Sequence, residues 1–160
     1  MDTEAFPRVT LRLTSTAFAP GGVMPKRFTA DDANVSPPLA WSGAPARTQS
    51  FALICSDAEA PGGVWYHWAI FDIPADCTAL AEHLTPENGT MHEAINDFHR
   101  RGYSGPAPPH GHGRHHYYFR LYALAVDRLK LSSEAGCRDV EAEAEVNALA
   151  MAELVGVYSR

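Results

Sequence analysis

Proline is confined to the first two thirds of the chain and limits where helices can form. All twelve prolines lie between Pro7 and Pro109, and none follows in a chain of 160 residues. A proline inside an α-helix removes a backbone hydrogen bond and clashes with the preceding turn. Long helices are therefore not expected before residue 110, where strands and turns must build the fold.

Three apolar runs of strand length lie between the turn signals. They are Ser50–Cys55, Val64–Ile73 and Tyr117–Val126. After the last proline, the Ala- and Glu-rich segment Arg138–Asn147 predicts one helix with acidic residues in its first turn. Residues 151–160 could continue that helix, but Val155 and Val157 favour a closing strand. Short strands, many turns and one late helix predict an all-β sandwich or barrel with a minor helical part.

Composition and charge restrict the class of protein and its partners. With 46% hydrophobic residues, residues 1–160 are expected to form one domain with its own core. The formal net charge of −6 argues against nucleic acids and anionic membranes, which require a basic surface. Cys55, Cys77 and Cys137 are odd in number and widely spaced, which predicts free thiols. With no secretory signal or membrane span visible, the expected location is the cytoplasm.

Titratable residues fall in phase with the apolar side of each run, since alternate residues of a strand share a face. The predicted faces are Phe51, Leu53, Cys55 and Asp57; then Trp65, His67, Ala69, Phe71 and Ile73; and then His115, Tyr117, Phe119 and Leu121. Asp57 ends its run, whereas His67 and His115 begin theirs. If the first strand is antiparallel to the other two, all three residues meet at one end of the sheet. Taken singly, each is more often a strand-end residue with local contacts, and the shared phase is what favours a site.

A carboxylate beside two imidazoles has a chemical use. Asp57 can accept a hydrogen bond from one histidine, fix its tautomer and raise its pKa. The histidine pair can then present N–H groups to an anion. The segment from Gly102 to Gly113 could contribute backbone N–H groups, because its glycines permit close approach and its prolines stiffen it. From its own sequence, however, a rigid connector is the simpler explanation of that segment.

Other kinds of site receive less support. His110, His112, His115 and His116 match no standard zinc spacing and have no accompanying cysteine, so no metal or other cofactor is predicted. A hydrolase or lyase with His67 or His115 as general base stays open as an alternative. The GxSxG, P-loop and GxGxxG motifs are absent. A pH- or metal-responsive interaction protein built on the histidines of residues 110–116 is the third hypothesis.

Motifs spread in order over nearly the whole chain match those of one known family. They are Leu13–Phe18 (LTSTAF), Asn34–Leu39 with Trp41 (NVSPPLAW), Asp57–Pro61 (DAEAP), His67-Trp68, Ile73-Pro74, Asn96–Phe98 (NDF), Gly102–Pro109 (GYSGPAPP) and His115–Leu124 (HHYYFRLYAL). On these motifs the sequence resembles the phosphatidylethanolamine-binding proteins, in particular their bacterial branch called Raf kinase inhibitor-like. Each motif alone is weak evidence, whereas the ordered set is specific.

The resemblance implies a mainly β fold, an antiparallel β-sandwich with a peripheral helix near the C-terminus. It also implies a small pocket at one end that binds phosphate, phosphorylated head groups or acetate-like ions. By motif position, Asp57 is the pocket carboxylate, and His67 and His115 are the pocket histidines. The wall and rim of the pocket would be formed by Gly105, the backbone near Ala107, Tyr117, Pro61 and Trp65.

Three positions depart from the family's pattern. Ala58 replaces a proline, which should loosen the loop that presents Asp57, and Glu59 replaces an aspartate. His116 stands where the family usually has arginine, which removes a permanent charge. The pocket is therefore expected to be more pH-sensitive than in a typical member.

The sequence as a whole predicts a ligand-binding module rather than an enzyme. The expected ligand carries a phosphate or a carboxylate and is a small molecule or a phosphorylated peptide. Asp57 would orient a histidine rather than contact the anion, because two negative charges repel. Regulation of a kinase or a protease, and assembly as a homodimer, are implied by the resemblance alone.

Overall fold

A computed structural model of the chain describes residues 10–86 and 90–160. This part of the chain forms eight strands and one α-helix. The bounds are β1 Arg12–Thr14, β2 Leu39–Ser42, β3 Ser50–Asp57, β4 Trp65–Pro74, β5 Ala79–Leu80, β6 His92–Glu93, β7 His115–Leu124, α1 Cys137–Asn147 and β8 Ala148–Tyr158. A single 3₁₀ turn at Lys26–Phe28 is the only helical element described before α1, as the proline distribution predicts.

The strands form two antiparallel sheets. The smaller has the order β1-β2-β5 and the larger has the order β6-β4-β3-β7-β8. One face of the larger sheet packs against the smaller sheet, and its other face packs against α1. The predicted mainly β fold with a peripheral C-terminal helix is confirmed.

Two apolar clusters cover the two faces of the larger sheet. Between the sheets, Trp41 of β2 packs with Phe51 of β3, with ring centroids 5.4 Å apart. On the other face, Val140 and Ala144 of α1 cover Ile54 and its neighbours. All eight residues of β3 are buried as a result. This double burial holds the strand ends that carry the candidate site in fixed positions.

Two irregularities in β4 overturn part of the predicted face. Ala69 and Phe71 were predicted to share a face with His67, but they lie in the cluster under α1. The register against β3 shifts twice, once between Cys55 and Ser56 and once between Phe51 and Leu53. Each extra residue reverses the alternation. Because both faces of β4 are apolar, hydrophobic periodicity could not reveal these shifts.

The remaining elements agree closely with the sequence. The helix begins one residue before the predicted Arg138, and the Asp139 carboxylate accepts a hydrogen bond from the Gly136 N–H at 2.9 Å. The closing strand follows the helix directly as β8. The motif Leu13–Phe18, which the resemblance implies is the opening strand, is extended only at its start, because β1 is Arg12–Thr14. The three cysteines are free thiols, and no helix of residues 10–86 and 90–160 is long and apolar enough to span a membrane.

Candidate functional site

Strand pairing brings the predicted titratable residues together. β3 lies between β4 and β7 and is antiparallel to both. At the end of β3, Asp57 pairs with Trp65 of β4 and with Tyr117 of β7. His67 and His115 each lie two residues from these partners. The antiparallel arrangement on which the prediction depended is therefore present, and the three side chains lie at one end of the sheet.

A β-bulge sets the position of His67. Cys55 pairs with Trp68 and Ser56 pairs with Tyr66, so His67 is the extra residue of β4. A bulge bends its strand and redirects the side chain of the inserted residue. The imidazole packs edge-on against the rings of Tyr117 and Phe98, each with its centroid 5.3 Å away. The ring of His67 is thus fixed by aromatic contacts on two sides.

A cavity of about 270 Å³ opens at this end of the sheet. Seven of the eight residues predicted to bind a ligand line it: Asp57, Pro61, Trp65, His67, Ala107, His115 and Tyr117. The other lining residues are Ala60, Phe98, Pro108 and Pro109. Gly105 lies outside it and borders a neighbouring cavity of about 250 Å³, which shares Phe98 and Ala107 as walls.

A chain of hydrogen bonds links a carboxylate to two imidazoles. Asp57 Oδ2 lies 2.6 Å from His115 Nδ1, and both residues are buried, with 3% and 1% of their surfaces exposed. The other ring nitrogen of His115, Nε2, lies 2.6 Å from Nδ1 of the exposed His112. Asp57 Oδ1 accepts a further hydrogen bond from the Glu59 N–H at 2.8 Å. Asp57 therefore fixes both the ring of His115 and the turn that follows β3, although Ala58 has replaced the family's proline.

The tautomer of His67 is set by a backbone carbonyl. Nδ1 lies 2.6 Å from the carbonyl oxygen of Ser104, which can only accept, so Nδ1 carries the proton. Nε2 is then the nitrogen left for a ligand. Burial lowers the pKa of His67 below its usual value, and the hydrogen bond to Ser104 opposes only part of that effect. The neutral ring is the stable form, and its Nε2 is a hydrogen-bond acceptor. For His67 this differs from the N–H donor predicted from the sequence, because the Ser104 carbonyl takes the ring proton at Nδ1.

The buried Asn96 holds the segment that carries this carbonyl. Its Nδ2 donates to the carbonyl of Gly102 at 2.9 Å and to Ser104 Oγ at 3.1 Å. Its Oδ1 accepts hydrogen bonds from the N–H groups of Phe98 and Arg100. Asn96 thereby links the Phe98 wall of the cavity to the partner of His67.

Two residues that line the cavity carry buried donors with no partner in the described structure. The donors are the hydroxyl of Tyr117, a residue with 0% exposure, and the indole Nε1–H of Trp65. Burial raises the pKa of Tyr117 far above its usual value, so its hydroxyl stays protonated and can donate. An unsatisfied buried donor costs about 1–3 kcal/mol. An acceptor supplied by a ligand would recover that cost.

Two of the departures from the family's pattern contact each other. A carboxylate oxygen of Glu59 accepts the backbone N–H of His116 at 2.6 Å, and His116 Nδ1 lies 3.0 Å from the same carboxylate. Although burial acts to raise it, these hydrogen bonds hold the pKa of Glu59 below its usual value. Both side chains are exposed at the surface: Glu59 lies two residues after Asp57 in the turn that follows β3, and His116 follows His115 in β7. The two side chains form an ion pair when His116 is protonated.

Gly105 is required by close approach rather than by backbone twist. A Cβ at this position would lie 2.2 Å from the carbonyl oxygen of Phe28 and 2.7 Å from Asn34 Oδ1. Its N–H donates to Asn34 Oδ1 at 2.7 Å. The expected wall residue is thus a packing contact that positions Ser104, the residue whose carbonyl holds His67.

Other candidate centres are weaker. No group of three or more His, Cys, Asp or Glu side chains in residues 10–86 and 90–160 is arranged to hold a metal ion. His112 contacts His115, whereas His116 contacts Glu59. The histidines of residues 110–116 therefore do not form one cluster. A larger cavity of about 460 Å³ lies at the other end of β4, where the buried Asp72 carboxylate lies 3.0 Å from Nδ1 of the partly exposed His92.

Sequence reasoning missed two residues of the site. Phe98 was noted only as part of a motif, and its contacts with Trp65 and His67 depend on the path of a loop. His112 was grouped with the other histidines of its segment. No periodicity marks either position, and the order NDF followed by the Gly/Pro segment was the only available signal.

The lowered pKa of His67 predicts a pH-dependent stability. The unfolded chain binds a proton near pH 6.5, whereas the folded protein resists it, so stability is present above that pH and is lost below it. The free energy of unfolding should fall by up to about 1.4 kcal/mol per pH unit until the folded pKa is reached. Urea unfolding between pH 4.5 and 7.5 should show a smaller slope in His67→Gln than in the wild type. The exposed His110→Gln is the matched control, and equal slopes in His67→Gln and the wild type would contradict this assignment.

Comparison with known proteins gives a consistent result. The family model described as phosphatidylethanolamine-binding protein matches residues 14–159. A UPF0098 protein of Methanothermobacter thermautotrophicus is 44% identical over 154 residues, which cover 94% of this chain and 99% of the relative. A UPF0098 protein of Aquifex aeolicus is 40% identical over 152 residues, which cover 94% of this chain and 89% of the relative.

One solved structure and one further relative extend the comparison. The crystal structure of Escherichia coli YbcL, described as a new member of the mammalian PEBP family, superimposes with a TM-score of 0.89 at 31% identity. The match covers 94% of this chain and 98% of YbcL. A relative from Mycobacterium tuberculosis, named as a candidate lipoprotein, LppC, is 38% identical over 92% of this chain and 72% of its own length.

Proposed function

Because the chain belongs to the phosphatidylethanolamine-binding protein family, we propose that the cavity of Asp57, His67 and His115 binds a small phosphate- or carboxylate-bearing ligand. The observation that carries the proposal is the pair of buried donors without partners, the Tyr117 hydroxyl and the Trp65 indole N–H. Buried donors in native proteins nearly always have an acceptor. An oxyanion in the cavity supplies one to each.

The remaining groups have supporting roles. Asp57 orients His115 through Nδ1 and does not contact the anion, since two negative charges would repel. The apolar side chains of Pro61, Phe98 and Ala107 contribute to the walls and lower the local polarity, which strengthens each hydrogen bond to the ligand. The size of the cavity suits a phosphate or acetate group, and the rest of a larger ligand would extend from the mouth.

The substitution Tyr117→Phe should lower the affinity for phosphate without lowering the free energy of unfolding. Tyr117→Phe removes a donor to a charged ligand, which is worth about 1.5–3 kcal/mol and lowers phosphate affinity at least about tenfold. The free energy of unfolding should be unchanged or higher, because the hydroxyl has no partner in the free protein. Calorimetric titration with phosphate and urea unfolding measure the two effects.

Tyr103→Phe is the matched control. Its hydroxyl donates to the carbonyl of Phe28 at 2.7 Å and lies outside the cavity wall. This variant should lose about 1 kcal/mol of stability and keep its affinity for phosphate. Unchanged affinity in Tyr117→Phe would contradict the proposed site.

No observation favours the alternative of a hydrolase or lyase. The described lining of the cavity contains no serine, threonine or cysteine nucleophile. The ring nitrogen of His115 that a general base would use is bound by His112. Binding without turnover is the function that this geometry supports best.

The proposal extends to the setting in which the module acts. We propose a homodimeric cytoplasmic protein that regulates a kinase or a protease through its ligand-bound pocket. Free thiols at Cys55, Cys77 and Cys137 support a reducing compartment. The lipoprotein name of one relative indicates the competing location, a membrane-anchored domain. Light scattering of the purified chain tests the dimer, and cell fractionation tests the location.

A further inference from the structure

The described lining of the candidate pocket contains a buried carboxylate and neither arginine nor lysine. Asp57 is 3% exposed, and the other titratable side chains that line the cavity are His67, His115 and Tyr117. Most phosphate sites neutralise the ligand with a permanent cation. Here each additional negative charge on a ligand adds repulsion from Asp57 without an opposing guanidinium or ammonium group.

The imidazole of His67 presents an acceptor rather than a donor to a ligand. Its Nδ1 proton is used by the Ser104 carbonyl at 2.6 Å, so the neutral ring has a lone pair at Nε2. A fully deprotonated oxyanion has only acceptors and cannot satisfy this nitrogen. A ligand that carries its own proton can donate it there.

His115 is held at both ring nitrogens in the free protein. Asp57 Oδ2 lies 2.6 Å from Nδ1, and Nδ1 of His112 lies 2.6 Å from Nε2. His67 is therefore the pocket histidine with a ring nitrogen left for a ligand.

The pocket therefore offers two donors and one acceptor. The donors are the unpartnered hydroxyl of Tyr117 and the Nε1–H of Trp65, and the acceptor is Nε2 of His67. A monoanionic phosphate group has unprotonated oxygens for the donors and an O–H for an acceptor. Sulfate and phosphodiesters lack that proton.

We propose that this pocket selects oxyanions that still carry a proton, namely the monoanions of phosphate and of phosphomonoesters, over oxyanions without one. The inference rests on the proposed function and names the protonation state of the ligand. Since the second pKa of a phosphomonoester is about 6, both protonation states are available near neutral pH.

The charged side chains around the pocket are already paired with each other, so they do not alter its preference for protonated oxyanions. Glu59 is bound by His116 at the mouth, and Arg160 is bound by Asp31 at 2.8 Å. Asp97, which lies behind Phe98, is bound by Arg138 at 2.9 Å. The groups that remain to answer a ligand's charge are Asp57 and the imidazoles of His67, His112 and His115.

Calorimetric titration of the full chain at pH 6 with four anions tests the proposal. Inorganic phosphate and methyl phosphate carry a proton, whereas sulfate matches phosphate in shape and dimethyl phosphate matches it in charge. We expect the first two to bind at least tenfold more tightly than sulfate and dimethyl phosphate. Affinity for methyl phosphate should fall between pH 6 and 8, because its dianion carries no proton.

The possible outcomes separate this inference from the proposed function. Sulfate or dimethyl phosphate binding as tightly as phosphate would overturn the proton requirement and leave the anion site in place. No binding of any of the four anions would overturn both. The ¹⁵N shift of His67 Nε2 gives a second readout: it should stay unprotonated in the phosphate complex, and a protonated Nε2 would overturn the inference.

Discussion

Asp57→Ala should lower the free energy of unfolding by about 3 kcal/mol, because it leaves the buried His115 without its partner at 2.6 Å. It also removes the acceptor of the Glu59 N–H and so loosens the turn after β3. Affinity for phosphate should also fall, because the ring of His115 loses the carboxylate that fixes its orientation at the cavity. Urea unfolding and calorimetric titration measure the two losses.

Glu59→Ala provides the matched comparison. Glu59 contacts His116 on the same two segments, but the Glu59 side chain is 45% exposed, whereas that of Asp57 is 5% exposed. An exposed ion pair contributes at most about 1 kcal/mol, so this variant should remain close to the wild type in stability and in affinity. Equal losses in the two variants would show that burial of the Asp57–His115 pair has no special importance.

Gly105→Ala should be severely destabilising although the residue lies outside the main cavity. The added methyl group would lie 2.2 Å from the Phe28 carbonyl oxygen and 2.7 Å from Asn34 Oδ1. Relief of these contacts requires movement of the backbone, at a cost of about 3 kcal/mol. The same movement displaces the Ser104 carbonyl from His67, so phosphate affinity should fall with stability. Thermal and urea unfolding, each with and without phosphate, measure both effects.

Gly136→Ala controls for the substitution itself. A Cβ at Gly136 would have its nearest neighbour, the Ile95 carbonyl oxygen, at 3.6 Å, which is ordinary van der Waals contact. Its cost should stay within about 1 kcal/mol, the usual effect at the start of a helix. Comparable stability of the two variants would contradict the close approach assigned to Gly105.

The sequence predicted the positions of the main strands and the residues that meet at their ends. β3 and β7 pair without a register shift, so the period of two correctly placed Asp57 and His115 on one side of the sheet. The sequence did not show which strands pair, and the structure gives the antiparallel order β4-β3-β7. The single C-terminal helix followed from the absence of proline after Pro109.

Three details of the site could not be predicted from the sequence. The bulge at His67 left no trace in the sequence, because β4 is apolar on both faces. The contact between His112 and His115 depends on the path of a Gly-rich loop, for which side-chain periodicity gives no information. Gly105 was predicted as a pocket wall, and only the packing of Phe28 and Asn34 reveals its close approach.

The role of net charge also changes once the cavity is known. A formal charge of −6 argues against extended polyanions, which need many cationic contacts. It does not argue against one small anion that accepts hydrogen bonds from Tyr117 and Trp65 in a buried cavity. Under the proposal, the local arrangement of donors and acceptors decides which anion binds.

A crystal structure of the protein grown in phosphate at pH 6 tests the central claim most directly. The account predicts one phosphate in the cavity, with oxygens within about 3 Å of the Tyr117 hydroxyl, Trp65 Nε1 and His67 Nε2. A cavity that holds only water or side chains at saturating phosphate, with the three residues well ordered, would contradict it.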